Sequence, residues 1–196
     1  MTDPQTATER FHVIPAAYVL LTRPAEDDDA DGEALEALLS LRQGTGYMDG
    51  LWAFGAAGHV ERGETVHAAA VREAAEELGV RIQETDLVPL TVMHRTGLSG
   101  EPLDERVDFF FSVSRWEGTP SVQEPEKSAA LQWFRLDALP TQTVPHELKV
   151  MAGVRDWALE EITSFGFAPA EAQEQASAQE QASAGRQEET YDPSHP

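Results

Sequence analysis

A chain of 196 residues, 41% of them hydrophobic, is long enough for one domain with a full apolar core. It has no cysteine, which excludes disulfides, thiolate metal sites and cysteine nucleophiles. Its formal net charge of −21 excludes nucleic-acid binding through a general electrostatic footprint, and an anionic substrate would need a cation to bridge it to so acidic a surface.

In chain order, residues 1–9 read as a polar, flexible start and residues 10–166 as the folded domain. Phe11–Leu21 reads as a buried strand. Its apolar run is too short to span a bilayer and contains Pro15, and no cleavable leader opens the chain, so the expectation is a soluble, cytoplasmic protein with no membrane partner. Arg23–Glu33 is an acidic loop; Ala25–Glu36 holds seven acids and no base. Ala34–Arg42 has leucines at 35, 38, 39 and 41, a spacing that fits a helix about as well as a strand. A loop with three glycines, Gly44–Gly50, precedes the short apolar stretch Leu51–Phe54. Thr65–Leu78 is the clearest helix, stopped by Gly79.

Leu87–His94 and Val107–Arg115 read as strands, Trp116–Pro120 as a turn and Leu131–Leu136 as another short strand. Pro145–Ser164 reads as a second helix. The order of elements predicts an α/β (α+β) fold, either α+β or a three-layer α/β/α arrangement. Residues 167–196 carry QEQASA twice, at 173–178 and 179–184, are poor in large apolar side chains and read as a low-complexity acidic tail, disordered and without a catalytic role.

Chemistry concentrates between Gly58 and Val80. At roughly 100° per residue, Val71, Ala74, Ala75 and Leu78 share one arc of the helix, while Glu73, Glu76 and Glu77 share the opposite one, with Arg72 at its edge. Carboxylates three and four residues apart repel each other. A solvated acidic face tolerates that cost; a divalent cation turns it into binding, since Mg²⁺ and Mn²⁺ prefer oxygen ligands. Gly58 and Gly63 permit a tight loop before the helix that brings Glu64 and backbone carbonyls nearby. Arg72 can hold a neighbouring carboxylate through a forked hydrogen bond.

With these residues in place the chain resembles the Nudix hydrolases, in their MutT-like form. The family signature is G-x5-E-x7-R-E-U-x-E-E-x-G-U, with U a bulky aliphatic residue. Gly58, Glu64, Arg72, Glu73, Glu76, Glu77, Gly79 and Val80 all fall on its positions; the departure is the smaller Ala74 at the first U. The resemblance implies the Nudix fold, an α/β/α sandwich with a central mixed sheet. It implies metal-dependent hydrolysis of a phosphoanhydride bond in a nucleoside triphosphate or another nucleoside diphosphate derivative. Mg²⁺ is the implied cofactor, with Mn²⁺ as a substitute. Glu73, Glu76 and Glu77 take the role of metal-binding and catalytic carboxylates, Arg72 that of orienting residue, and Gly58 and Glu64 that of support for the metal shell. The partner is then a small-molecule nucleotide; a homodimer is compatible with the resemblance and not required by it. A nucleotide-sugar pyrophosphatase of the ADP-ribose type and a non-catalytic nucleotide sensor are the alternatives.

Outside the signature, Trp116–Pro120 followed by Glu124 resembles the MutT-type stretch whose glutamate reaches back to the metal, which makes Glu124 an added ligand or general base. Arg42 stands where similar members meet substrate phosphate, a role that suits the planar guanidinium. Trp133 is a candidate wall or stacking surface for a base, and Thr143 occupies the place of the base-reading asparagine of MutT. Gly55-Ala56-Ala57 replaces the usual Pro-Gly before the signature, and Arg95 stands where ADP-ribose pyrophosphatases carry proline.

Overall fold

The computed structural model describes residues 11–25, 34–97 and 104–167. The chain separates into two units, Met1–Phe165 and Gly166–Pro196, and the first carries every element described below. The expected polar start, most of the acidic loop and nearly all of the low-complexity tail lie outside the described residues.

Among the described residues, eight strands and two α-helices follow in the order β1 (Ile14–Pro24), β2 (Leu35–Arg42), β3 (Trp52–Phe54), β4 (Ala56–His59), α1 (Val66–Leu78), β5 (Val88–Arg95), β6 (Arg106–Val113), β7 (Ser128–Arg135), α2 (Pro145–Arg155) and β8 (Ile162–Phe165). A single 3₁₀ turn, Glu84–Asp86, leads into β5. The sheet runs β3-β2-β1-β6-β5-β8, with β4 on β1 and β7 on β2. It is mixed: β1 is parallel to β6 and antiparallel to β2 and β4, and β5 is parallel to β8. No helix among the described residues is long and apolar enough to cross a membrane.

Alternation along β1 builds the layers. Ala17, Val19 and Leu21 join Ala69, Ala70, Ala74 and Leu78 of α1 in one core. Ala16, Tyr18 and Leu20 join Val150 and Met151 of α2 in the other. Both faces of the central strand are therefore apolar, as a strand covered on both sides requires. The result is the three-layer α/β/α sandwich, with its mixed sheet between α1 and α2.

Three sequence expectations change. Ala34–Arg42 resolves as strand β2, because it pairs along both edges, with β7 on one and with β1 and β3 on the other. The second helix ends at Arg155, well short of Ser164. Trp157 turns left-handed at φ 52° and stands 88% exposed, and Ile162–Phe165 leaves the helix to pair with β5. Ala56–His59 forms a strand that its Ala-Ala-Gly composition does not announce; the free edge of β1 recruits it.

The ends of α1 follow the sequence. The Thr65 side chain accepts from the Ala68 N–H at 3.0 Å and caps the N-terminus. Gly79 closes the C-terminus at φ 71°, its N–H bonded to the Ala75 carbonyl. A Cβ at Gly79 would meet the Gln123 side chain as well as the left-handed penalty. Gly79→Ala is therefore expected to destabilise the domain by about 1–2 kcal/mol, read as a lower urea midpoint with an unchanged slope; an unchanged midpoint would show that the cap relaxes without cost.

Candidate active site

The sheet parts where the site forms. β1 pairs with β2 only through Thr22–Pro24. Nearer its start, β1 pairs with β4 instead, while β2 continues against β3. β3 and β4 are separated by Gly55 alone, so the chain steps from one edge to the other at that residue. A cavity of about 430 Å³ lies along this parting. Glu73 and Glu77 enter it from α1, Glu124 and Lys127 from the loop before β7, and Arg42 from the end of β2. Tyr18, Arg95 and Arg106 come from the sheet, and His146 and Glu147 from the start of α2.

Arg72 organises the acidic side. Its Nε and Nη2 donate to Glu64 at 3.3 and 2.8 Å, and Nη2 also donates to the His59 carbonyl at 3.0 Å. Nη1 donates to Glu73 at 2.6 Å and to Glu76 at 3.0 Å. One guanidinium thus locks the loop before the helix to three carboxylates, and they hold it firmly charged, Glu64 foremost. Glu64 in turn accepts from the Glu61 N–H at 2.7 Å, and Arg72 together with that N–H keeps its carboxyl below the usual range.

The helix presents its acids differently from the two opposed arcs of the sequence reading. Glu73 is buried beside Ala69, Ala70, Ala74 and Leu78, whereas Ala75 is exposed. The buried arc straddles both sequence arcs, because Glu73 and Glu77 must point through the parting of the sheet to reach the cavity. Gly58 makes this approach feasible: a Cβ there would overlap the Glu73 carboxylate. Glu77 accepts from the Ala57 N–H at 2.8 Å. Burial raises the Glu73 carboxyl, with Arg72 pulling it back. Burial also pushes Glu77 up to about 7, with repulsion from Glu73 and Glu124 adding to the shift and the Ala57 N–H opposing it.

Glu124 lines the same cavity as Glu73 and Glu77, and both its oxygens accept from Lys127 Nζ at 2.9 Å. Glu76 is 56% exposed and turned to Arg72, outside the cavity lining. Arg42 lines the cavity while donating to the Tyr47 carbonyl at 3.0 Å and to the Thr45 hydroxyl at 3.1 Å. Trp133 does not reach the cavity: it stacks on Trp116 against the α1 side of the sheet, with the Arg23 guanidinium 4.3 Å from its ring centroid. Thr143 is buried next to the lining residue Val144, and its hydroxyl donates to the Pro140 carbonyl at 2.7 Å.

Among the described residues no three His, Asp or Glu side chains converge as a ready-made metal cage. Each carboxylate has a protein partner instead: Arg72 for Glu73, the Ala57 N–H for Glu77 and Lys127 for Glu124. The donor chemistry nonetheless suits Mg²⁺ or Mn²⁺. Three carboxylates from two segments face one cavity and repel each other, and the Gly58 backbone lies against Glu73.

Sequence reasoning missed the opposite wall. Arg95 and Arg106 are cross-strand partners, and Arg95 Nε donates to the fully buried Asp108 at 2.8 Å. His146 and Glu147 are buried in the first turn of α2. Burial pushes Glu147 up to about 8 and holds His146 down to about 3. A histidine and a glutamate at the start of a segment read as a second helix signal little by themselves; only the register of β5 on β6 and the docking of α2 bring these groups together.

A model of the NUDIX domain matches residues 15–154, more than half of the chain. A search of curated proteins gives no match. Among solved structures, the chain is similar to a MutT NUDIX hydrolase from Burkholderia pseudomallei, with 27% identity and a TM-score of 0.60, over 73% of this chain and 98% of that one. It shares its fold with a mutator MutT protein from Bacillus halodurans, at 18% identity and TM-score 0.55, over 80% and 92% of the two chains. It also shares its fold with a UDP-X diphosphatase, at 19% identity and TM-score 0.53, over 82% and 70%.

Gly58→Ala should separate site from fold. Glu73 can swing its flexible end away from the new methyl, so the melting temperature should hold while catalysis drops at least about tenfold, the cost of misplacing a group at the reacting centre; full activity would show that the tight approach is dispensable. Glu147 generates a pH effect. Its value in the folded state, about 8, lies above its ordinary 4.5, so its contribution to stability is complete at low pH and is lost as pH rises from about 4.5 through 8. Thermal melts at pH 5.5 and 8.5 should show a larger fall for the natural chain than for Glu147→Gln; equal falls would mean that Glu147 does not hold its proton.

Proposed function

Since the chain belongs to the Nudix family, we propose that this hydrolase of phosphorus-containing anhydrides is a divalent-metal-dependent pyrophosphohydrolase acting on nucleoside triphosphates or related nucleoside diphosphate derivatives. The observation that carries the reading is the meeting of Glu73, Glu77 and Glu124, from two separate segments, in one cavity beside Arg42 and Lys127.

Glu73, Glu77 and Glu124 would hold Mg²⁺ or Mn²⁺, with Gly58 contributing backbone beside them and with Glu76 and Glu64 completing the acidic rim around Arg72. An ion held there would supply neutralising charge to the diphosphate and a lowered pKa to the attacking water. Arg72, forked on Glu64, keeps Glu73 in one orientation through a single short hydrogen bond from Nη1, so the carboxylate needs no rearrangement during the reaction. Arg42 offers a planar guanidinium to a phosphate oxygen, and Lys127 a point charge next to Glu124. The proton released by water passes to a carboxylate oxygen of this group, on Glu73 or Glu124. The acidic surface favours a small ligand held through metal over nucleic acid.

A phosphate-release screen over nucleoside triphosphates, nucleotide sugars and dinucleotides, with and without Mg²⁺ or Mn²⁺, tests the reading. Metal-dependent turnover of at least one nucleoside triphosphate is expected. Nucleotide binding with no turnover of any compound would replace the enzyme by a sensor. Glu77→Gln keeps an acceptor for the Ala57 N–H, so it should fold normally and lose at least about two orders of magnitude in turnover; near-normal turnover would remove Glu77 from the machinery.

A further inference from the structure

We propose that Arg95 and Arg106 form a second anion subsite, which recognises a further phosphate or carboxylate carried by the group attached to the diphosphate. The inference rests on the pyrophosphohydrolase reading above and deepens it, since it names a feature of the substrate that the carboxylates and Arg42 leave unspecified.

Arg95 of β5 and Arg106 of β6 stand opposite each other across the strand pair, and both line the cavity. Like charges in that position destabilise a sheet unless something compensates them. The fully buried Asp108 does so in part. Its Oδ2 accepts from Arg95 Nε at 2.8 Å, while its Oδ1 lies 3.8 Å from Arg106 Nε, too far for a hydrogen bond. One carboxylate thus serves two guanidiniums from beneath, and its bond to Nε leaves the Nη ends of Arg95 to the cavity. Arg95 Nη1 donates to the Tyr47 hydroxyl at 3.1 Å. That phenol is a neutral acceptor on the exposed loop between β2 and β3. An anionic oxygen accepts from a guanidinium about twice as strongly and can displace it.

Strand order sets the distance from the reacting end. β4, β1, β6 and β5 lie side by side, and Glu77 is bonded to the β4 backbone at Ala57. At about 4.8 Å per strand, Arg106 and Arg95 spring from backbone roughly 10 and 14 Å away from β4. That separation exceeds the length of a diphosphate held on the carboxylates and suits a group attached to it. The charges at this end favour an anion. His59 of β4 is held neutral by burial and by Arg106, and burial keeps the Tyr18 phenol of β1 neutral. Asp104 also lines the cavity, with its carboxylate against Gly97. Across the cavity, burial lowers His146, and Arg95, Arg106 and Arg42 lower it further. In a chain of formal charge −21, the arginines make this end of the cavity positive.

Matched compounds test the subsite. NADP⁺ and NAD⁺ differ by one phosphate, and UDP-glucuronic acid and UDP-glucose by one carboxylate. Each is measured with Mg²⁺ as a substrate, or as an inhibitor of a nucleoside triphosphate that the chain hydrolyses. In at least one pair the more anionic member should be favoured at least about tenfold, in kcat/KM or in inhibition constant, as a charge-assisted hydrogen bond provides. Which pair shows the preference tells phosphate from carboxylate. Arg106→Met should abolish it by raising KM or the inhibition constant of the more anionic member, with kcat and the neutral member's values within about threefold. Arg95→Met would strand Asp108, so it is made together with Asp108→Asn. That double variant should lose the same preference, which preserves the test if either variant does not fold. No preference in either pair, or equal loss for both members of a pair, would overturn the proposal. If the natural chain hydrolyses nothing, the pyrophosphohydrolase reading fails by itself. Calorimetry with the same pairs and Mg²⁺ then decides the subsite: tighter binding of a more anionic member, removed by Arg106→Met, is expected, and equal binding within both pairs overturns it.

Discussion

The loop before α1 and the carboxylates of Glu64, Glu73 and Glu76 depend on the Arg72 guanidinium. A chain with a formal charge of −21 gathers Glu64, Glu73 and Glu76 around one guanidinium, each within 3.0 Å of it, and Coulomb repulsion among them works against that arrangement. Arg72 bonds to all three and to the His59 carbonyl, so one cation offsets the repulsion and also sets the path of the loop before α1. A lysine could balance charge but not geometry, because the fork reaches separate carboxylates in fixed directions.

The second constraint is the parting of β1 from β2. In an unbroken sheet, α1 and α2 would lie in separate layers with no shared space. Here β3 and β4 cover the two diverging edges, and the carboxylates of α1 pass beside Ala57 and Gly58 toward the side on which α2 packs. The cavity therefore has walls of different character. One carries Glu73, Glu77 and Glu124; the other carries two arginines, a buried aspartate beneath them, and a neutral histidine and glutamic acid. A ligand with an anionic group at each end matches that division. Small residues matter at the crossing point: Ala57 offers its N–H to Glu77, and Gly58 leaves room for Glu73.

Much of this was legible along the chain, and the misses share a cause. Thr65 and Gly79 bound α1 because capping is local chemistry between residues a few positions apart. Helix geometry brought Glu73, Glu76 and Glu77 close together, yet it did not reveal which of them turns inward. Glu73 and Glu77 do so and Glu76 does not, since the sheet that α1 packs on decides which arc is buried. The apolar run after Pro145 looked like one long helix; pairing with β5 claims Ile162–Phe165 instead. Trp133 was a candidate for base contact by residue type, and strand alternation on β7 sends it to the other face.

Sequence by itself determined the reaction class, because the signature residues act through a short loop and helix whose internal geometry is set by local hydrogen bonds. The resemblance carried by that signature also implied the layer order, which the elements alone left open between α+β and a three-layer arrangement. Tertiary structure alone decided which carboxylates share a cavity with Glu124 and which residues stand opposite them. Arg95 meets Arg106 through strand register, and Glu147 meets Phe54 through the docking of α2 on the sheet. Burial then changes what those side chains are chemically: the same glutamic acid that would ionise in water keeps its proton at the start of α2, because the interior cannot solvate its charge.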